Sequence, residues 1–139
     1  MKEQTKTVMV EQKQTVYIAE DGTEFNAWYD CYVYERDKKE NFTSESAMRI
    51  KEADGFAPCD GMENMECWDY KWYKVTSQKG VEELEAIFGD KVEQPVEFPE
   101  YINIQTSDDS IWSTTLSATK DYVERFFSKF GITVTFTEE

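Results

Sequence analysis

The chain has 139 residues, 40% hydrophobic and 15% aromatic, with six Gly and three Pro. That is enough apolar material for one folded domain over residues 1–139, and it is not the composition of a disordered chain. The net charge of −14, from 29 acidic and 15 basic residues, sets the chain against direct contact with nucleic acid or anionic membranes, and leaves a solubilising surface or a surface for a basic protein.

Residues 7–10 and 15–19 read as two strands joined by a polar turn at 11–14, and the charged flanks of the first suit a sheet edge. Asp21-Gly22 breaks the chain. Thr23 or Asn26 can cap a helix over residues 27–39. On it Trp28, Cys31, Tyr32 and Glu35 share a stripe flanked by Tyr29, Val33 and Arg36. Thr43-Ser44 opens a weaker helix, residues 43–53, with Met48 and Ile50 as its apolar residues and Gly55 to end it. Residues 56–66 read as a loop, the segment expected to be most mobile.

Residues 67–75 are the aromatic centre of the chain. As a strand they send Trp68, Tyr70 and Trp72 to one face, large and flat enough to carry helices, and Asp69, Lys71 and Tyr73 to the other. Residues 77–80 turn into a helix over 81–88, where Val81, Leu84, Ile87 and Phe88 recur at helical spacing and Gly89 stops it. Residues 91–100 form a connector with Pro95 and Pro99, followed by an alternating strand at 101–106 and a turn at 107–110. Ser117 caps a helix over 118–130 whose apolar face is Tyr122, Val123, Phe126, Phe127 and Phe130. Asp121 near its start and Lys129 near its end suit the helix dipole. Ile132, Val134 and Phe136 alternate as a last strand. The order β-β-α-α-β-α-β-α-β implies an α+β fold: a mixed or antiparallel sheet of about five strands, with three to four helices mainly on one face.

No apolar run has the length of a membrane span or of a signal-peptide core, and Cys31, Cys59 and Cys67 cannot all pair within one chain. Free thiols and a cytoplasmic setting are expected.

The opening Tyr17-Ile18-Ala19-Glu20-Asp21-Gly22-Thr23-Glu24-Phe25, followed by a helix with Cys31 and Tyr34-Glu35, resembles the start of small acidic accessory proteins of phages and prophages of Gram-positive bacteria. Those proteins open with a strand, a D-G-x-x-F turn and a helix with a C-x-x-Y-E-like pattern. The strand Trp72-Tyr73-Lys74-Val75 before a Glu-rich helix is similar in flavour. The resemblance implies an anti-defence factor, of the kind that includes anti-CRISPR proteins, acting in the cytoplasm of a bacterial host. It implies an inhibitor rather than an enzyme, and it carries over no site residues.

Chemistry by side chains is narrowly bounded. There is no His, which removes Ser-His-Asp and Cys-His catalysis and the commonest metal ligand. No phosphate loop, dinucleotide fingerprint or Ca²⁺ loop is present, and no metal or cofactor is expected. Asp60, Asp69 and Lys71 resemble the carboxylate-and-lysine pattern of Mg²⁺-dependent nucleases. An ordinary polar strand face explains them more simply, and DNA suits a −14 chain badly.

The acidic run is more informative. Residues 82–109 hold Glu82, Glu83, Glu85, Asp90, Glu93, Glu97, Glu100, Asp108 and Asp109 against one basic residue, Lys91. Carboxylates spaced along a surface can stand in for phosphates in a basic groove. The expected partner is therefore a host defence or nucleic-acid-binding protein. A solvated helix face plus a polar connector is the plainer reading of each acid alone. The alternative function is a sponge for a nucleotide signal, as a homo-oligomer, with Trp68, Tyr70, Trp72 and Trp112 as a stacking pocket and Arg125 for the phosphate. Core packing is the default role of those aromatics.

Overall fold

The computed structural model describes residues 1–7, 13–59, 69–107 and 110–138. The chain divides into two compact units, Met1–Phe42 and Thr43–Glu139. The α+β class holds, but the strands form two antiparallel sheets, of three and four strands, instead of one sheet. No described helix is long and apolar enough to cross a membrane.

In the first unit β1 (Lys2–Thr7), β2 (Lys13–Ile18) and β3 (Glu24–Phe25) pair in that order, and α1 (Trp28–Glu40) packs on β2 and β3. The expected strand residues 8–10 and turn residues 11–12 lie outside the described residues. Lys13 and Gln14 belong to β2, not to a turn, opposite Thr7 and Lys6. Residues 2–5 of β1 are exposed on both sides, so burial imposes no period-2 pattern there.

Asp21-Gly22 does break the chain. Gly22 has φ 91°, a left-handed conformation that costs glycine nothing. The Asp21 carboxylate accepts from Thr23 N at 3.0 Å and from the Tyr34 hydroxyl at 2.6 Å, and pairs with Lys38. One side chain thus shapes the turn and anchors α1. The helix needs this anchor because its N-cap is Ala27, without a side-chain cap. Thr23 and Asn26 do not serve, since Thr23 Oγ1 meets Tyr34 and Asn26 accepts from Gln14 Nε2. The expected stripe also splits: Cys31 is buried, whereas Trp28, Tyr29 and Tyr32 are exposed, with Trp28 stacked on Tyr32 at 5.2 Å. Cys31 and Cys59 carry free thiols, and burial beside Glu35 pushes the Cys31 thiol up from its ordinary value.

In the second unit β4 (Ala47–Arg49), β5 (Asp69–Val75), β6 (Glu100–Thr106) and β7 (Ile111–Thr115) form an antiparallel meander, with α2 (Gln78–Phe88) between β5 and β6 and α3 (Leu116–Ser128) after β7. Ala47, Tyr73, Val75, Val81, Leu84, Ile102 and Ile104 are fully buried. The helix-bearing side of the aromatic strand is therefore the Tyr73 side, not the Trp72 side. Phe88 of α2 reaches Tyr73 at 6.1 Å between ring centroids. The aliphatic side chains of β6 make this side dry, whereas Trp72 has an N–H to satisfy and gives it to the Phe56 carbonyl at 2.7 Å.

Residues 43–53 are not a helix. They hold β4 and a single 3-10 turn, Lys51–Ala53. Ser44 Oγ accepts from Ala47 N at 3.0 Å and Thr43 Oγ1 from Arg49 N at 3.1 Å. These bonds offer the backbone an alternative to the helix, and register places Ala47 opposite Val75 in the core. Residues 111–115 are a strand that sequence reading missed, whereas residues 132–136 form none, and Ile132 and Phe136 stay exposed. β7 occupies the place beside β6. α3 starts at Leu116, with Thr115 rather than Ser117 as its cap, accepting from Ala118 N at 3.1 Å.

Gly80 sits where α2 crosses β4. A Cβ there would lie 1.9 Å from the Ser46 carbonyl oxygen and 2.6 Å from its carbon. Backbone must move to admit it. An exposed Gly→Ala change in a helix gains about 1 kcal/mol; Gly80→Ala is expected instead to lose at least about 2 kcal/mol, read from the urea midpoint.

The first unit yields a pH test. The bonds from Lys38 first, then Tyr34 and Thr23, hold the Asp21 carboxyl far below the usual carboxylate range. A depressed carboxyl stabilises the fold above its unfolded value of about 4, and that contribution disappears as pH falls through the folded value. Asp21→Asn is expected to lower the melting temperature at neutral pH, with the gap from wild type shrinking steadily below about pH 4. A gap of equal size in acid would show that Asp21 acts without its charge.

Candidate functional site

The buried stripe of α2 is Gly80, Val81, Leu84 and Phe88. Packing that stripe turns Glu82, Glu83 and Glu85 away from the core: Glu82 is exposed, and Glu83 and Glu85 are half-buried. Glu85 Oε1 accepts from Gln94 Nε2 at 2.5 Å, which ties the helix to the connector that follows. The connector is held down by buried Val92 and by Glu93 N, which donates to Ser113 Oγ at 2.9 Å. Asp90, Glu93 and Glu97 point outward and are exposed.

Glu100 stands apart from its neighbours. Its Oε1 accepts from Ser117 N at 2.9 Å and its Oε2 from Ser117 Oγ at 3.0 Å. Both oxygens cap the start of α3, where the helix dipole favours a carboxylate. Asp108 and Asp109 lie outside the described residues.

Among the described residues, none of Glu82, Glu83, Glu85, Asp90, Glu93, Glu97 or Glu100 has a cation within ion-pair distance. Cations are paired elsewhere, as in Arg49–Asp54 at 2.5 Å and Arg125–Asp121 at 3.1 Å. Lys91, the one cation in the run, lies over the Trp112 ring at 5.2 Å. The acids thus lie on α2 and a pinned connector, without an ion-pair partner among the described residues.

Beside them is a groove of 370 Å³ lined in part by Lys74, Glu93, Val96, Glu97, Glu100 and Lys120. One wall is Pro95-Val96-Glu97, in which Val96 is 99% exposed; the next residue, Phe98, is 38% exposed. Sequence reading treated this segment as plain connector. The flanking Pro95 and Pro99 were the signal that it is a shaped projection. The Glu100 cap had no local signal, because its partner is seventeen residues away.

The aromatic set is dispersed. Trp72 is buried with its N–H bonded to Phe56, and Arg125 is paired with Asp121. Tyr70 and Trp112 both lie opposite Gln105, so they share one row across the sheet, with Trp112 half exposed. Trp68 lies outside the described residues. Of the nuclease-like pattern, Asp60 is outside them too, and Asp69 and Lys71 sit two apart on β5. Among the described residues no group of three or more Cys, Asp or Glu is placed to hold a metal ion.

Comparison with protein-family models, curated proteins and solved structures finds no match to this chain.

The split between capping and free acids can be measured. Glu100→Ala is expected to cost about 1 kcal/mol, the usual loss for a helix cap. Glu97→Ala is expected to stay within about 0.5 kcal/mol of wild type, as an unconstrained surface change does. Denaturant melts of the two variants side by side decide it.

Proposed function

We propose that this chain is a non-enzymatic binding protein that sets its acidic α2-and-connector surface into the basic groove of a nucleic-acid-handling protein and blocks it. The observation that carries the reading is the array of carboxylates on α2 and residues 90–97, none ion-paired among the described residues. The resemblance of residues 17–35 to small phage proteins supports assigning the partner to a bacterial defence system, with the chain as a phage-encoded inhibitor. Each exposed pair with a partner Lys or Arg contributes only about 0.2–1 kcal/mol. Several pairs acting together, with Val96 and Phe98 as apolar anchors at their edge, supply steering and specificity.

The nucleotide-sponge alternative draws less support, because Trp72 and Arg125 are already engaged within the fold.

The test uses three exposed acids that make no side-chain bond among the described residues: Glu82→Lys, Glu93→Lys and Glu97→Lys combined, with Glu100 left in place. A pull-down from a bacterial lysate carrying defence systems, washed at rising salt, is expected to capture a basic protein with wild type. That capture should weaken as salt screens the contact. The triple variant should lose about tenfold or more in association rate. Capture and inhibition that survive all three reversals would sink the proposal.

A further inference from the structure

Helix α3 is covered along only part of its length. Its half-buried residues, Leu116, Thr119, Lys120, Tyr122 and Val123, fall in the first two turns, and everything from Glu124 to Ser128 is exposed. The apolar face does not stop where the cover stops. Phe126, Phe127 and Phe130 continue it at 48%, 36% and 67% exposure, and Ile132, bonded to the Phe127 carbonyl, follows at 50%; Phe136, 41% exposed, lies under Lys120 nearer the start of α3. The rings are already arranged against one another: Phe126 lies 5.4 Å from Phe127, 5.5 Å from Phe130 and 6.3 Å from Tyr122, centroid to centroid. This is a built aromatic cluster that faces water.

We infer that this face pairs with the same face of a second copy of the chain, α3 running antiparallel to α3 about a two-fold axis near Phe126. Three observations select that occupant. The first is charge. Lys120, Arg125 and Lys129 outweigh Asp121 and Glu124 on this stretch, in a chain of net charge −14. Two acidic molecules can therefore meet here without the repulsion that other approaches would carry. The second is symmetry. Tyr122 and Phe130 lie four residues to either side of Phe126 on one face of α3. An antiparallel crossing centred on Phe126 then lays Phe130 of each copy beside Tyr122 of the other. A two-fold interface requires self-complementarity of this kind. The third is area. At about 200 Å² for a full aromatic side chain, Phe126, Phe127, Phe130 and Ile132 offer about 400 Å² of apolar surface. A standard interface takes about 800 Å² per partner, a little over half of it apolar, so the patch matches the apolar core of one such interface.

The experiment is sedimentation equilibrium of the full chain up to about 100 µM, a concentration that saturates micromolar self-association. Wild type is expected at twice the 16.3 kDa of one chain. Phe130→Glu and Phe126→Asp, both at exposed positions, are expected to sediment as monomers with unchanged far-ultraviolet circular dichroism. A wild-type chain that stays monomeric across the range overturns the inference. So does a dimer that Phe130→Glu and Phe126→Asp leave intact, since its contact would lie on another face.

Discussion

Tyr73 and Val75 leave β5 on the side that water does not reach, and the second unit is arranged around that fact. Ile102 stands opposite Tyr73 on β6, Ile104 lies two residues along on the same side, and above lie Val81, Leu84 and Phe88 of α2. Fully burying one such side chain stabilises a fold by about 1.5–3 kcal/mol, so the layer they share outweighs any polar contact described here. The Tyr73 hydroxyl registers the dryness: burial, more than any neighbouring charge, pushes it up to about 12. To close the layer α2 must come down on β4, and the Gly80–Ser46 approach is the steric condition for that.

The same packing determines the electrostatics. An eleven-residue helix with four buried positions has little choice about where its Glu residues go, and here they turn away from the core, without an ion pair among the described residues. The first unit treats charge in the opposite way. Asp21, Lys38 and Tyr34 are bound together, and Lys6 is paired with Glu24. Charge that shapes the first unit is paired inside the chain, whereas the acids of α2 and the connector have no ion pair among the described residues. Exposed pairs are weak one at a time, so an array fixed on rigid backbone matters more than any single acid in it.

Much of this was legible in the sequence, and the failures have particular causes. α2 and the core strands β5 and β6 announce themselves through periodicity; α1 lies where the Asp21-Gly22 break places its start, although its apolar stripe splits. Residues 43–53 misled because Thr43-Ser44 reads as a helix opening, whereas those hydroxyls bond the backbone of a strand; Met48 and Ile50, two apart, have strand spacing, and β5 needs Ala47 beside it. The last strand misled for the converse reason. Alternation at 132–136 is real, but a strand needs an edge, and β7 has taken the place beside β6. The acidic run was visible by counting. Counting could not separate Glu100, consumed as a cap, from Glu97, nor show that Val96 projects, because both depend on contacts far apart in the chain. The aromatic pocket was the least legible part: composition gives Trp72 no label as buried and Trp112 none as exposed.

The bond between Glu100 and Ser117 joins the first residue of β6 to the second residue of α3, across the open end of the β6–β7 hairpin. A hairpin that slipped by one residue would flip Thr115 out of the core. It would also carry Ser117 away from Glu100 by about 3.3 Å, and the helix would begin uncapped. α3 is thus a reporter of strand alignment: its first turn is satisfied only when the two strands beneath it have paired in the one correct register. Such a check works locally, without the rest of the chain, and it tolerates changes of length at the hairpin tip far better than any change within the paired strands.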